Sequence, residues 1–260
     1  MSPTLTDVLA VAAAQAVRAA QAQEAAEAIH AVDAAAADAT TTPSRARTVP
    51  FVTAGLAPDL VPYPRGLELQ REAVQRIRDG VDRGTVLLLE HAPVYTAGKR
   101  ALAEEYPRDG TPVVPVDRGG KVTWHGPGQL VVYPVIRLRE RLRVVDFVRL
   151  LERVIIGTAA EFGVAGFRIP GRAGVWAEAG GPSPAKFAQI GIHTSSGIVT
   201  HGLAVNCSND LAPFESFVPC GITDAGVTTL GELAGRPITP ADIAPSLSAL
   251  LSTALDEAAE

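Results

Sequence analysis

The chain is poor in sulfur and in aromatic rings: of 260 residues two are cysteine, one is methionine, and Phe, Trp and Tyr together make up 5%. Cys207 and Cys220 form no C-x-x-C pair and stand at no metal-ligand spacing from a histidine, which excludes a disulfide-stapled scaffold and a Cys/His metal site. Free thiols in a reducing, cytoplasmic setting are expected, with no metal and no cofactor. Long apolar runs are also missing. Thr85 to Leu89 and Gln129 to Ile136 fall far short of the roughly 18 to 20 residues a membrane helix needs. Val8 to Val17 is apolar, but the first basic residue, Arg18, follows that stretch, so the charged start of a secretory signal is lacking. Positive charge is in deficit, at net -5 with a pI near 5.6, which argues against nucleic-acid and anionic-membrane partners. There is no repeat, no heptad run and no glycine-rich phosphate loop followed by Lys and Ser or Thr, so nucleotide use is not indicated.

What is present is a hydrophobic content of 47%, enough for one core, so the chain is expected to hold one domain with an appendage. Residues 1–48 are alanine-rich and close in the polar breaker Thr40-Thr41-Thr42-Pro43-Ser44-Arg45; they are expected to be part helical, part disordered, and 49–260 to form the functional domain. Leu67, Leu69, Ala73, Val74 and Ile77 recur at helical spacing before Gly80. A second helix is expected over Phe147 to Phe162, with Asp146 as N-cap and Gly163 as stop, and a last one opening at Thr239-Pro240. Strands are expected over Thr85–Glu90, Pro112–Val116, Lys121–His125, Gln129–Ile136, Gly174–Ala177, Lys186–His193 and Gly197–Asn206. The Gly126-Pro127-Gly128 turn predicts a close antiparallel pair. The pattern is mixed α/β without βαβ regularity.

Two residues carry candidate chemistry. Cys220, in Phe217-Val218-Pro219-Cys220-Gly221-Ile222, lies between a proline that fixes the approach and a glycine that leaves the backbone open, a setting suited to presenting a thiol. An unpaired cysteine is as readily a small buried residue, and Cys207 fits that reading better. A free thiol titrates near 8.5, and half-ionising it at neutral pH needs a downward shift of roughly 1.5 units, or about 2 kcal/mol. An ammonium about 4 Å away supplies on the order of 4 kcal/mol at an effective dielectric near 20. Lysine, unlike arginine, also accepts and returns protons. Lys186, which begins the otherwise apolar run Lys186-Phe187-Ala188-Gln189-Ile190-Gly191-Ile192-His193, is the candidate, although a lone lysine is commonly a solvated surface charge.

A third element, Arg118-Gly119-Gly120-Lys121-Val122-Thr123-Trp124-His125, concentrates an arginine, a histidine and paired glycines, where backbone can approach a ligand closely. Together with Lys186-x-x-x-Ile190-Gly191-Ile192-His193, His201-Gly202-Leu203-Ala204 and Pro219-Cys220-Gly221-Ile222, it resembles the lipoyl(octanoyl) transferase family of lipoate biosynthesis. Leu89 to Thr96 and Gly226 to Leu230 resemble further segments of that family, and the likeness spans roughly residues 50 to 255. The N-terminal 48 residues and Gly180-Gly181-Pro182-Ser183 have no place in the family pattern.

The resemblance implies a fold like the biotin/lipoate protein ligase catalytic domain, with mixed, largely antiparallel sheets flanked by helices around an acyl-binding tunnel. It implies that Cys220 takes octanoyl from octanoyl-acyl carrier protein as a thioester. A lysine on a lipoyl domain of a 2-oxoacid dehydrogenase or the glycine cleavage H protein then accepts it, with Lys186 as base in both steps. Arg118 to His125, Gln189, Ile190, Gly191, Gly202, Leu203 and Ala204 match its substrate-contacting segments, and amides near Gly191 and Gly202 are candidates to hold the tetrahedral oxyanion. The competing readings are an ATP-dependent lipoate or biotin ligase, an octanoyl amidotransferase between lipoyl domains, a hydrolase, and a non-enzymatic docking domain.

Overall fold

The computed structural model describes residues 49–107, 111–217 and 225–260. The alanine-rich extension and the segment holding Cys220 lie outside the described residues.

Strand β1 (Phe51–Gly55) runs parallel to β2 (Gly84–Leu89), and α1 (Tyr63–Arg78) crosses between them. β1 was not expected, so one βαβ unit exists where the sequence pattern indicated none. Helix α1 starts at Tyr63, ahead of the apolar stripe, because Pro64 is tolerated in a first turn that has no helical acceptor for its nitrogen. It closes before Gly80, whose φ of +69° suits glycine.

The chain next builds a separate small sheet from β3 (Val94–Ala97), β4 (Val113–Pro115) and β5 (Val122–His125), in the order β4-β3-β5. It then returns to the large sheet as β6 (Gln129–Ile136), buried at every residue. The expected hairpin at Gly126-Pro127-Gly128 does not form: β5 pairs with β3, whereas β6 pairs with β2. The turn is bound to the large sheet instead. Buried Glu90 accepts from the Gly128 amide at 2.6 Å, and the Gly128 carbonyl accepts from the amides of Cys207 and Ser208. A Cβ on Gly128 would lie 2.6 Å from the Asn209 nitrogen, so a larger residue would push the turn off its seat.

Helix α2 (Val144–Glu161) buries Phe147, Leu150, Leu151, Val154 and Ile155 as their spacing predicts. Asp146 is not its cap. The helix begins two residues earlier, after Arg143, and Asp146 sits in the first turn bonded to the Arg143 guanidinium at 2.7 and 3.0 Å. Strands β7 (Phe167–Ile169), β8 (Arg172–Ala177), β9 (Ala185–Ser195), β10 (Ile198–Asn206) and β11 (Gly226–Val227) follow, then α3 (Leu230–Ala234) and α4 (Pro240–Ala258). Thr239 and Asp242 form the capping box that opens α4.

The large sheet runs β1-β2-β6-β10-β9-β8-β7, with β11 on the start of β9. Its pairings are antiparallel apart from β1 with β2 and β9 with β11. Alternation along the strands gives it two faces. Val86, Leu88, Val132, Leu203 and Val205 pack with residues of α2 and α4, including Phe147, Leu151, Leu247 and Leu251. Leu87, Leu89, Val131, Tyr133 and Ala204 face the other way, toward Ala73 and Ile77 of α1. The small sheet and the start of α1 leave a cleft over this second face. Among the described residues no helix is long and apolar enough to cross a membrane.

Candidate active site

The cleft encloses about 510 Å³, its open mouth included, and every candidate substrate residue except Trp124 lines it: Arg118 to Thr123 and His125 from the small-sheet side, Gln189 to Gly191 from β9, and Gly202 to Ala204 from β10. Trp124 is a correction. It is one step out of phase with Thr123 and His125 on β5, so its ring turns into the core of the small sheet and meets Phe214 edge-on at 5.8 Å.

Lys186 is 5% exposed, so it is no solvated surface charge. A bulge puts it on the same sheet face as the β9 residues that line the cleft. Val175 pairs with Ala188 and Trp176 with Lys186, which leaves Phe187 as an extra residue on β9. Phe187 and Ala188 both face the α2 and α4 core, so alternation resumes in opposite phase and Lys186 shares a face with Gln189 and Gly191. The ammonium rests over the Trp176 ring, 5.0 Å from its centroid. Its far end lies at the level of Ala188: a Cβ on Gly174 would sit 2.5 Å from Lys186 Cε and 2.4 Å from the Ala188 carbonyl oxygen. Fully buried Glu152 fixes Gly174 by accepting from its amide at 3.0 Å.

Gly174, at φ +110°, is therefore required twice, for its backbone and for the space it leaves. Gly174→Ala is expected to cost about 1–3 kcal/mol of stability through strain at that φ. It should also displace Lys186, so that activity per folded molecule, measured beside a thermal melt, falls by more than the loss of folded protein explains.

Arg118 is nearly buried, and its guanidinium donates to the carbonyls of Gly119, Lys121 and Thr96 and to Thr96 Oγ1, all within 3.0 Å. It pins the glycine loop to β3. Gly191 serves the same assembly. A Cβ there would lie 2.9 Å from Arg118 Cδ, and the Gly119 amide donates to the Ile192 carbonyl. Those glycines let two pieces of backbone close on each other. Gly202 pairs with Gly191, and a Cβ on it would come within 2.0 Å of the Val132 carbonyl oxygen. The pair lies three residues beyond Ala188, about 10 Å from the Lys186 end at ~3.3 Å per residue.

Gln189 is nearer. It is 7% exposed, lines the cleft, and among the described residues neither its amide nitrogen nor its amide oxygen has a hydrogen-bond partner. Buried amides are rarely left so unless a ligand completes them.

Polar groups in and beside the cleft extend the set legible in the sequence. Burial pushes the His91 imidazole down to about 4, so at neutral pH Nδ1–H donates to the Val61 carbonyl and Nε2 accepts from the Tyr133 hydroxyl, both at 2.8 Å. Tyr133 in turn hydrogen-bonds with Tyr63, and burial raises both phenols, Tyr63 to about 12. Tyr133 belongs to the odd-numbered positions of β6 that face α1, a signal visible once β6 is known to have two buried faces. His125, which burial and then the His91 charge hold down to about 3, donates from Nδ1 to Gln129. Gln129 bonds Asn206, Asn206 bonds the Thr228 carbonyl, and the Thr228 amide bonds the Lys186 carbonyl. The cleft wall and the strand carrying Lys186 thus share one network.

Cys207 is fully buried and its thiol is raised far above the ordinary range by desolvation, in keeping with the inert role expected of it. Among the described residues no cluster of three His, Cys, Asp or Glu side chains has the geometry to hold a metal ion.

Residues 62–252 match the lipoyl protein ligase A/B catalytic domain. The chain is 54% identical over 198 residues to a protein of Arthrobacter sp. named octanoyltransferase, covering 76% of this chain and 89% of that one. It is 53% identical over 196 residues to an octanoyltransferase of Mycolicibacterium smegmatis, covering 75% and 85%. A bipartite lipoate protein ligase from Thermoplasma acidophilum superposes with a TM-score of 0.61 at 16% identity, over 80% of this chain and 84% of that one. A lipoate-protein ligase A bound with ATP gives 0.57 at 14%, over 80% and 85%. At such identities the two structures speak to the fold, which is the mixed α/β fold expected. The relatives speak to the family: the chain belongs to the lipoyl protein ligase A/B catalytic domain family and is an acyltransferase.

Proposed function

We propose that this chain moves an octanoyl group from octanoyl-acyl carrier protein to the ε-amine of a lysine on a lipoyl domain, by way of a thioester on Cys220. The acceptors are the lipoyl domains of 2-oxoacid dehydrogenases and the glycine cleavage H protein, and the setting is the cytoplasm. The observation that carries the reading is the convergence of segments 118–125, 189–191 and 202–204 on one cleft, with buried Lys186 on the same sheet face as Gln189 and Gly191.

In the first step Lys186 takes the thiol proton of Cys220. The sulfur attacks the carrier thioester, and the carrier thiol departs with a proton returned by Lys186. In the second step the acceptor amine attacks the acyl-enzyme, a C–N bond replaces the C–S bond, and the amine's proton passes through Lys186 to regenerate the enzyme. Gln189, level with the end of Lys186, is the donor available to the carbonyl oxygen in both steps. A thioester donor is already activated, so amide formation runs downhill without nucleotide.

Intact mass after mixing the protein with octanoyl-acyl carrier protein, without ATP, tests this. One octanoyl group is expected on the wild type and on Cys207→Ala, none on Cys220→Ala, and its discharge on adding a lipoyl domain. No adduct on the wild type sinks the mechanism. A requirement for ATP decides for a ligase, and a better yield from an octanoylated lipoyl domain than from carrier protein decides for an amidotransferase.

A further inference from the structure

The cleft has a second end, and its construction is unusual for a β-strand. Position 134 of β6, opposite His201, is a proline with no amide to give, and β10 pairs with β6 only from Leu203 onward and again near Ile198. Across that gap His201 adopts φ +59°, a left-handed conformation uncommon for a residue other than glycine. Its amide is satisfied by Gln70 Oε1 at 2.7 Å rather than by a neighbouring strand. Val199 and Leu203, two positions to either side, face the α2 and α4 core; the left-handed turn brings the His201 ring out onto the cleft face, where it is 4% exposed. There its Nε2–H donates to Asp117 Oδ1 at 2.6 Å, while Asp117 Oδ2 lies 3.4 Å from His193 Nε2.

Among the described residues His201 is the one that lines both the cleft and a second, open groove of about 1180 Å³, whose walls hold Leu67, Val74 and Ile198 beside the polar Gln70, Arg71 and Arg78. The ring is thus a partition between two spaces. Its distance from the end of Lys186 is set by the sheet. Lys186 ends at the level of Ala188 and His201 pairs with Ile192, about 13 Å further along β9 at ~3.3 Å per residue. An extended octanoyl chain measures about 9 Å from carbonyl carbon to terminal methyl with C–C bonds of ~1.5 Å. The remainder, about 4 Å, is one van der Waals contact. Each further pair of methylenes adds about 2.5 Å and would drive the chain into the ring.

We propose that His201, held by Asp117, is the end wall of the acyl cleft and sets the longest acyl chain the enzyme accepts. This rests on the acyl-transfer reading above. His201 determines specificity by standing where the chain ends, and Asp117 positions it. Removing the ring opens the cleft into the groove behind.

The test compares kcat/KM for hexanoyl, octanoyl, decanoyl and dodecanoyl chains on the same acyl carrier protein. The wild type is expected to fall about tenfold or more beyond octanoyl, the discrimination a filled apolar pocket gives per added methylene unit. His201→Gly, whose residue takes φ +59° without strain, should raise the dodecanoyl-to-octanoyl ratio at least tenfold, with a smaller rise in Asp117→Ala. His201→Asn, which also tolerates the left-handed conformation, stands in if the glycine variant melts early. Ratios within twofold of wild type in all folded variants overturn the end wall. A wild type that loads no octanoyl group overturns the acyl-transfer reading first, so the two failures are distinguishable.

Discussion

Replacing Lys186 by methionine is expected to lower turnover about a thousandfold at pH 7 while leaving the protein folded, because two separate contributions are lost together. On the proposed mechanism a thiol half ionised at pH 7 beside the ammonium would return without it to the ordinary titration near 8.5, and its thiolate fraction would drop to about 3%. Without the proton carrier, general acid and base assistance worth about 10²-fold or more also goes. Methionine keeps most of the side-chain volume against Trp176 and Gly174, where alanine would leave a hole beside the ring. The two losses separate with Lys186→Arg. A guanidinium keeps the positive charge but does not give up its proton, so iodoacetamide labelling of Cys220 should stay fast at neutral pH while octanoyl transfer stays slow. In Lys186→Met the labelling rate should instead climb through pH 8 to 9. A labelling profile identical to wild type in Lys186→Met would refute the pairing, whatever the turnover.

Sequence periodicity locates the three long helices and most strands because each has an apolar stripe long enough to read: α2 through Phe147, Leu150, Leu151, Val154 and Ile155, and β6 through its unbroken run. It does not show β1, β3, β7, β11 or the five-residue α3, since elements of two to five residues carry too few repeats to stand out. The turn at Gly126 to Gly128 was read as a hairpin because its residue types are those of a hairpin. What overrides them is remote, a carboxylate at Glu90 and the backbone at Cys207 and Ser208. The candidate site was largely visible as residue types in motifs, but their directions were not. Trp124 points away because of its phase on β5, Lys186 shares the face of Gln189 because of one extra residue at Phe187, and His201 turns over in the pairing gap opposite Pro134. Each is a consequence of register, which a single sequence does not print. Tyr63 escaped notice for a related reason: it belongs to the first turn of a helix whose visible stripe starts later.

Mild acid is expected to unfold this protein in a window set chiefly by two of three buried imidazoles, the third being His201, which burial also holds down. His91 is held down to about 4 and His125 to about 3, chiefly by desolvation, and both would titrate near 6.5 in an unfolded chain. Between those values the unfolded chain binds more protons than the folded one, so stability rises with pH there. The stabilisation is fully present above about 6.5 and is lost as pH falls toward 4 and 3. For His91 alone the shift corresponds to about 3 kcal/mol, and His125 adds a similar or larger amount. That is a large part of the 5–15 kcal/mol that holds a typical domain together, roughly enough to bring the transition to pH 4–5. The rings lie 5.8 Å apart, so charging one opposes charging the other. A proton on His91 Nε2 would also meet the Tyr133 hydroxyl hydrogen already pointing at it. Thermal melts by circular dichroism should therefore be level above pH 7 and fall steeply from pH 6.5 to 4.5. In His91→Asn the slope should ease by up to about 1.4 kcal/mol per pH unit, since one titrating group is gone. Asp117, held below its usual value by His201 and His193 against the cost of its burial, acts in the same direction but only below the carboxylate range, so it leaves this window untouched. A melting temperature constant from pH 7.5 to 4.5 would contradict the burial of both imidazoles. Because this transition lies on the acid side, the activity profile should fall on its acid limb with the folded fraction and, on the proposed mechanism, rise in Lys186→Met on its alkaline limb with the thiolate.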